Sequence, residues 1–460
     1  MWPTVEVGVS LWVRGRRARA DPSGFDPVHA ADAVVREERR FIRDAMQTPK
    51  AKLRRTFGMP TGIAADLKPS PLHVLHVVAS LESVSGGPPM VVSRLAAAQA
   101  ALDVEVTILS SVPRPGQDTV IPGLRRLPGG EKVTLELVPG DGLIEDLTAR
   151  RAGRVARRLV ERADIVHLAG VWDPILLAAA REARRADIPY CVAPHGMLDP
   201  YALTQSRLKK RLALMAGVRA MLNNASFLQT LNRAERTRMS PLALIPQPEI
   251  IPNGISFEEF AELPPGDEFH RAHPELRGEP YILFLGRLHL IKGLDYLADA
   301  FAIVARQIAP LRLVVAGPDA GYKDEFVRRI TELGVADRVH FVGPLYERPK
   351  LAALAGASIF CQPSRQEGFS IAITEALAAG VPCVVTEECR FPEIAELDIG
   401  AVTPLDSEAI AAGLSDVLRR NDRERIGARG RELVKSAYTW PLVARRSIEI
   451  YTNYLPALEG

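Results

Sequence analysis

The chain alternates short apolar, β-branched runs with amphipathic stretches, and it does so twice. In the first half the apolar runs fall at 73–78, 104–109, 164–168 and 190–193. In the second they fall at 281–285, 313–316, 339–342, 359–362 and 383–385. Each run is too short for a buried helix and too continuously apolar for a strand with one wet face, so each reads as a strand covered on both sides. Helical stretches such as 90–102 and 174–186 lie between them. Strand, helix, strand in repetition gives a doubly wound parallel sheet. A Pro-, Glu- and Gly-rich break at 263–277 separates the two series.

This predicts an α/β chain with two facing Rossmann-like domains and a cleft between them, spanning 71–262 and 263–436. Residues 437–460 form a last amphipathic stretch. Residues 1–70 carry 13 Lys/Arg against 8 Asp/Glu and no long apolar period; they read as a basic, partly disordered arm with one helix near 31–46. The remaining composition is excluding rather than informative. A net charge of +3 argues against a dedicated nucleic-acid binder. No apolar run reaches the roughly 18–20 residues of a spanning helix. Four cysteines without a CxxC pair fit reduced, buried thiols in a cytoplasmic protein.

Open α/β sheets bind ligands beyond the carboxyl ends of their strands, so the chemistry belongs in those loops. There is no GxGxxG after a strand, no GxxxxGK[ST], no Asp-x-Asp pair and no zinc-type cluster, which leaves dinucleotide, P-loop and metal chemistry without a signature. What stands there instead is Pro363-Ser364-Arg365-Gln366-Glu367-Gly368-Phe369-Ser370, opening a helical run that contains Glu375. On one helix, residues eight apart lie about 12 Å apart, wider than the roughly 5–9.5 Å of a hydrolase carboxylate pair. Glu367 and Glu375 therefore suit different parts of one elongated ligand. Gly368, Phe369 and Ser370 present backbone N–H groups where a helix starts, a setting that cradles phosphate. A second loop, Gly286-Arg287-Leu288-His289-Leu290-Ile291-Lys292-Gly293, brings two cations suited to a diphosphate leaving group.

The Arg287/Lys292 loop followed by Glu367-x7-Glu375 resembles the retaining nucleotide-sugar glycosyltransferases of group 1, or family 4. The resemblance extends over about residues 72–455. It takes in Ser85-Gly86-Gly87-Pro88, Pro194-His195-Gly196-Met197-Leu198-Asp199-Pro200 and Ile251-Pro252-Asn253-Gly254, and the His195 stretch is similar to exopolysaccharide, capsule and lipopolysaccharide members. It implies the GT-B fold, a nucleoside-diphosphate sugar as co-substrate, no cofactor and no metal. It further implies that Glu367 binds the donor sugar and Glu375 the ribose. Arg287 and Lys292 would bind the diphosphate, and His195 would face the donor sugar. The amides at Gly86-Gly87 and after Glu367 would approach phosphate, and backbone near Gly343 and Leu345 would hold the base. The last segment would cross back onto the first domain. Three departures stand out: Ser370 occupies a position that is often Gly, Ser256 occupies a commonly acidic position after Pro252-Asn253-Gly254, and an acidic position near 356–358 is missing.

The acceptor implied is a glycan or a lipid-linked glycan. Arg150, Arg151, Arg154, Arg157, Arg158 and Arg162 fall within about 140° of one helical face, and 207–212 is a second basic run. Both suit a solvated face or an anionic inner membrane surface. The rival readings are a non-catalytic nucleotide-sugar-binding protein and a sugar-nucleotide epimerase or phosphorylase. A phosphorylase would need a cofactor lysine that the sequence does not mark, an epimerase lacks the Arg/Lys-plus-paired-Glu pattern, and turnover with a panel of nucleotide sugars separates all three.

Overall fold

A computed structural model describes residues 71–82, 87–114, 116–139 and 148–456. The basic arm, Gly86 and the last four residues lie outside those residues. Both sheets belong to one contact unit, residues 64–460.

The first sheet has seven strands: β1 (His73–Ser80), β2 (Glu105–Ser111), β3 (Thr134–Val138), β4 (Ile165–Ala169), β5 (Tyr190–Ala193), β6 (Phe227–Thr230) and β7 (Gln247–Ile250). The second has six: β8 (Tyr281–Leu285), β9 (Arg312–Ala316), β10 (Val339–Gly343), β11 (Ile359–Gln362), β12 (Cys383–Thr386) and β13 (Gly400–Thr403). Their orders are β3-β2-β1-β4-β5-β6-β7 and β10-β9-β8-β11-β12-β13, with every pairing parallel. Each order reverses direction once, at β1/β4 and at β8/β11, and those two switch points are where loops diverge to leave a crevice.

The helices used below are α1 (Gly87–Ala100), α2 (Arg150–Val160), α3 (Pro174–Arg185), α4 (Arg207–Ala213), α5 (Arg233–Met239), α6 (Leu294–Gln307), α7 (Ile371–Ala378) and α8 (Trp440–Asn453). Helix α1 starts three residues before the pattern at 90–102 predicts. Pro88 and Pro89 occupy its first turn, where a missing N–H has no intrahelical partner to lose. Strands β3, β6, β7 and β13 escape the apolar-run reading. β7 contains Pro248 and Glu249 and lies at the sheet edge, where a strand interior tolerates proline.

Apolar side chains fill both faces of both sheets. One of these clusters joins the two ends of the sequence. Trp440, Val443, Ala444, Ile450 and Tyr451 of α8 are buried with Val74 and Val78 of β1 and Leu95 of α1. The chain reaches that position at Ile255, whose N–H donates to the Tyr438 carbonyl (2.8 Å) and whose carbonyl accepts from Trp440 N–H (3.2 Å). α8 thus follows the second sheet in sequence and packs on the first.

Candidate active site

The loop after β8 is held by its own composition. His289 Nδ1 accepts the Ile291 N–H (3.2 Å) and caps a single 3₁₀ turn, Leu290–Lys292. Gly293 follows with φ +69°, and a Cβ there would lie 1.8 Å from the Pro363 carbonyl oxygen. Glycine alone lets this loop close on the one after β11. Arg365 fastens the contact: it donates to the Leu290 carbonyl (2.8 Å) and pairs with both oxygens of Asp295 on α6 (2.7 and 2.5 Å).

The result is a charge pair. Lys292 Nζ lies 2.6 Å from Glu367 Oε1. The same oxygen accepts from Gln362 Nε2 (2.6 Å) and Ser364 Oγ (2.7 Å). Ser370 Oγ donates to Gln362 Oε1 (2.9 Å), which fixes how that amide is turned, and also caps α7 by accepting Ile373 N–H (3.3 Å). Three donors on Oε1 leave Oε2 without a bond, on a side chain only partly exposed. Glu367 lies in the loop and Glu375 in the helix, so the two acids do not share one helix. Glu375 Oε1 accepts from Lys350 Nζ (2.6 Å). Lys350 belongs to the helix that follows Gly343 and Leu345, which brings that turn towards Glu375. The Gly343 carbonyl is occupied by the Gly317 N–H (2.9 Å). The Phe369 ring packs with Phe391 and Tyr438, leaving its backbone as the part that can face a donor. Arg287 is exposed and makes no hydrogen bond or ion pair among the described residues, so the structure joins Lys292 to Glu367 but not Arg287.

The first sheet contributes the turn after β5. His195 (φ +50°) and Gly196 (φ +78°) are both left-handed. Buried Glu235 on α5 holds that turn: its carboxylate accepts Gly196 N–H (2.7 Å) and Leu231 N–H (2.6 Å). Burial pushes the Glu235 carboxyl up and lowers the His195 imidazole to about 4, so the ring is neutral at ordinary pH. His195 Nε2 is buried without a partner. The strand histidines are structural: His76 Nε2 bonds Gln99 Oε1 (2.7 Å) and His167 Nδ1 bonds the Tyr451 hydroxyl (2.5 Å). Gly87 is exposed at the start of α1, whose Arg94 faces α7 across a cavity of about 160 Å³ lined also by Glu375, Ile371 and Trp440. Ser256 Oγ accepts from Arg94 Nη1 (2.8 Å), and Glu259, one turn on, lies 3.7 Å from the same nitrogen. The acid missing at 256 is thus partly replaced from 259.

The two loops meet. A Cβ built at Gly196 would lie 3.8 Å from the Gly368 Cα. Asn232 Nδ2 donates to the Gly368 carbonyl (2.7 Å). Buried Asp199, at the end of the His195 stretch, pairs with buried Arg390 (3.0 Å). Arg238 lies between Asp199 (3.4 Å) and Glu388 (2.6 Å), and the Glu388 carbonyl accepts the Glu367 N–H (3.0 Å). Asp199, Glu235, Arg238, Gln362, Ser364 and Arg390 were not foreseen as site residues. Gln362, a buried amide at a strand exit, carries the one signal that sequence offers.

Two parallel-sheet domains, with the loops after β8 and β11 at the second sheet's switch point meeting the turn after β5 of the first, define a GT-B fold. The glycosyl transferases group 1 family matches residues 266–433 and a glycosyl transferase 4-like domain matches residues 86–254, and the chain belongs to the group 1 glycosyltransferases. It is 30% identical over 210 residues to the phosphatidyl-myo-inositol mannosyltransferase of Mycobacterium leprae (strain TN), which covers 44% of this chain and 52% of that one. It is 31% identical over 166 residues to the MMP alpha-(1->4)-mannosyltransferase of Mycolicibacterium hassiacum, covering 35% and 40%. The chain thus spans about half the length of the first of these curated relatives. Among solved structures it is similar to Anabaena Alr3699/HepE in complex with UDP and glucose, at 17% identity and a TM-score of 0.64 over 83% of this chain and 100% of that one. It is also similar to WaaG, a glycosyltransferase involved in lipopolysaccharide biosynthesis, at 19% identity and a TM-score of 0.59 over 82% and 99%. These two likenesses speak to the fold.

Proposed function

We propose that this glycosyltransferase moves a hexose-type sugar from a nucleoside-diphosphate sugar to a hydroxyl of a glycan or lipid-linked acceptor, with retention and without a metal ion, in cell-surface polysaccharide synthesis. The observation that carries the reading is Glu367, held through one oxygen by Lys292, Gln362 and Ser364, next to Gly368, whose backbone meets the Gly196 turn of the first domain. Its other oxygen is free to accept sugar hydroxyls. Lys292, beside it, is the cation for the diphosphate as the glycosidic bond breaks, and exposed Arg287 is free to join it. Glu375 and Lys350 address the ribose and base. The neutral His195 imidazole, with its unpartnered Nε2, offers the sugar a hydrogen bond without a competing charge.

The carboxylate of Glu367 is anchored rather than mobile, which suits orientation more than nucleophilic attack. Retention then follows from front-face attack, in which a departing phosphate oxygen takes the acceptor proton. Closure of the two domains over the donor limits hydrolysis. The relatives named as mannosyltransferases, one of them named for phosphatidyl-myo-inositol, support a sugar donor and a lipid-bearing acceptor, and hence work at the inner face of the membrane. No helix among the described residues is long and apolar enough to cross one. Turnover with a panel of nucleoside-diphosphate sugars in excess EDTA, with the product anomer assigned by NMR, tests the reading. Transfer with retained configuration is expected. Activity that appears only with added divalent metal, or an inverted product, refutes the corresponding part.

A further inference from the structure

Helix α4 buries none of its residues. Leu208, Leu212 and, in the π-turn that follows, Met215 are 72%, 56% and 79% exposed. Their spacing of four and three places them on one stripe. Arg207 and Arg211 flank that stripe on one side and Lys209 on the other, all exposed and without ion pairs among the described residues. Lys210 points the opposite way: its ammonium donates to the Ala202 carbonyl (2.6 Å) and lies 5.4 Å from the centre of the Trp172 ring. The helix therefore rests on the domain through a lysine and turns its leucines to solvent, the reverse of an ordinary surface helix.

The segment itself is one-signed. No acidic residue occurs between Asp199 and Glu235, while six Lys/Arg do. The segment continues into Met221 and Leu222, which are buried in the same apolar cluster as Ala152 and Ala156 of α2. α4 and the arginine-rich α2 therefore cover the same face of the first sheet. Large apolar side chains raised between cations, on a face with added positive charge, match a surface that is apolar inside and anionic at its rim. We propose that α4 is an interfacial anchor: Leu208, Leu212 and Met215 enter the acyl boundary of an anionic phospholipid leaflet while Arg207, Lys209 and Arg211 meet its headgroups. This rests on the membrane-face reading above and identifies the surface that carries it.

The test uses the full chain with vesicles of phosphatidylcholine alone and with about a third phosphatidylglycerol. The variants are Leu208→Ser/Leu212→Ser/Met215→Ser and Arg207→Glu/Lys209→Glu/Arg211→Glu. Wild type is expected to sediment with the anionic vesicles, and each variant to bind them about tenfold more weakly or worse. Melting temperature and turnover on a water-soluble acceptor should not change, because none of these side chains is buried or part of the site. Wild-type binding that both variants retain overturns the anchor and leaves the membrane reading standing. No wild-type binding overturns both. Stripe-dependent self-association without vesicle binding assigns the stripe to a second copy and overturns the anchor.

Discussion

The pair Asp199–Arg390 ties the His195 turn of the first domain to the loop supporting Glu367 in the second. Both side chains are buried, and Arg390 Nε already lacks a partner. Removing one member of such a pair strands the other charge, at a cost of about 3–5 kcal/mol. Asp199→Ala also loses the cap on Tyr201 N–H (3.1 Å), about 1 kcal/mol more. Asp199→Asn keeps that acceptor and removes mainly the charge, so it is the cleaner perturbation. The contact spans two domains, so its loss falls on their association before it falls on either core. Arg238 is a third exposed and can turn towards water, which screens part of the effect. A loss at the low end, about 3 kcal/mol, lowers the joined arrangement about 10²-fold. The expected result for Asp199→Asn is kcat for transfer down by about that factor, a smaller change in nucleotide affinity, and a higher ratio of donor hydrolysis to transfer. A double-mutant cycle with Arg390→Met should return most of the loss as coupling. If Asp199→Asn lowers the melting temperature and leaves kcat and the hydrolysis ratio unchanged, the pair is a static brace and the reasoning fails.

Glu367→Ala should lower kcat while nucleoside-diphosphate affinity by calorimetry holds, and Glu375→Ala should weaken that affinity; the opposite pattern reverses their roles. Lys292→Ala should cost about 10²-fold or more in kcat with no rescue by magnesium or manganese. Gly293→Ala, which needs φ +69° and pushes a Cβ into the Pro363 carbonyl, should approach the Lys292→Ala loss by displacing that lysine, and a near-wild-type kcat would refute it. Burial lowers His76 and His195 to about 4, and burial, with His76 and His195 as neighbours, holds His167 well below the usual imidazole range. The unfolded chain protonates these rings near 6.5 and the folded chain does not. Stability is therefore full above about pH 6.5 and falls as pH drops towards 4, by up to roughly 3 kcal/mol for His76 alone. Urea midpoints flat from pH 7 to pH 4.5 would refute the linkage.

The parallel sheets were legible because a strand buried on both faces writes its burial into consecutive residues: 359–362 and 281–285 match β11 and β8 to the residue. β7, with Pro248 and Glu249, broke that rule because an edge strand needs neither continuity nor a full set of donors. In the candidate site, strand ends locate Lys292 and Glu367 and the resemblance implies their roles, but that they touch depends on Gly293 lying under Pro363. Asp199 and Arg390 are 191 residues apart, and nothing local to either marks it as half of a pair. The basic run at 207–212 shows the deeper limit. Periodicity states that Leu208 and Leu212 share a face and that the cations flank it. It does not state which way that face turns, since an amphipathic helix reads the same with its apolar side inward or outward. Direction is decided by tertiary contact, here by Lys210 settling over Trp172, and that one contact converts a solvated basic helix into an exposed apolar stripe.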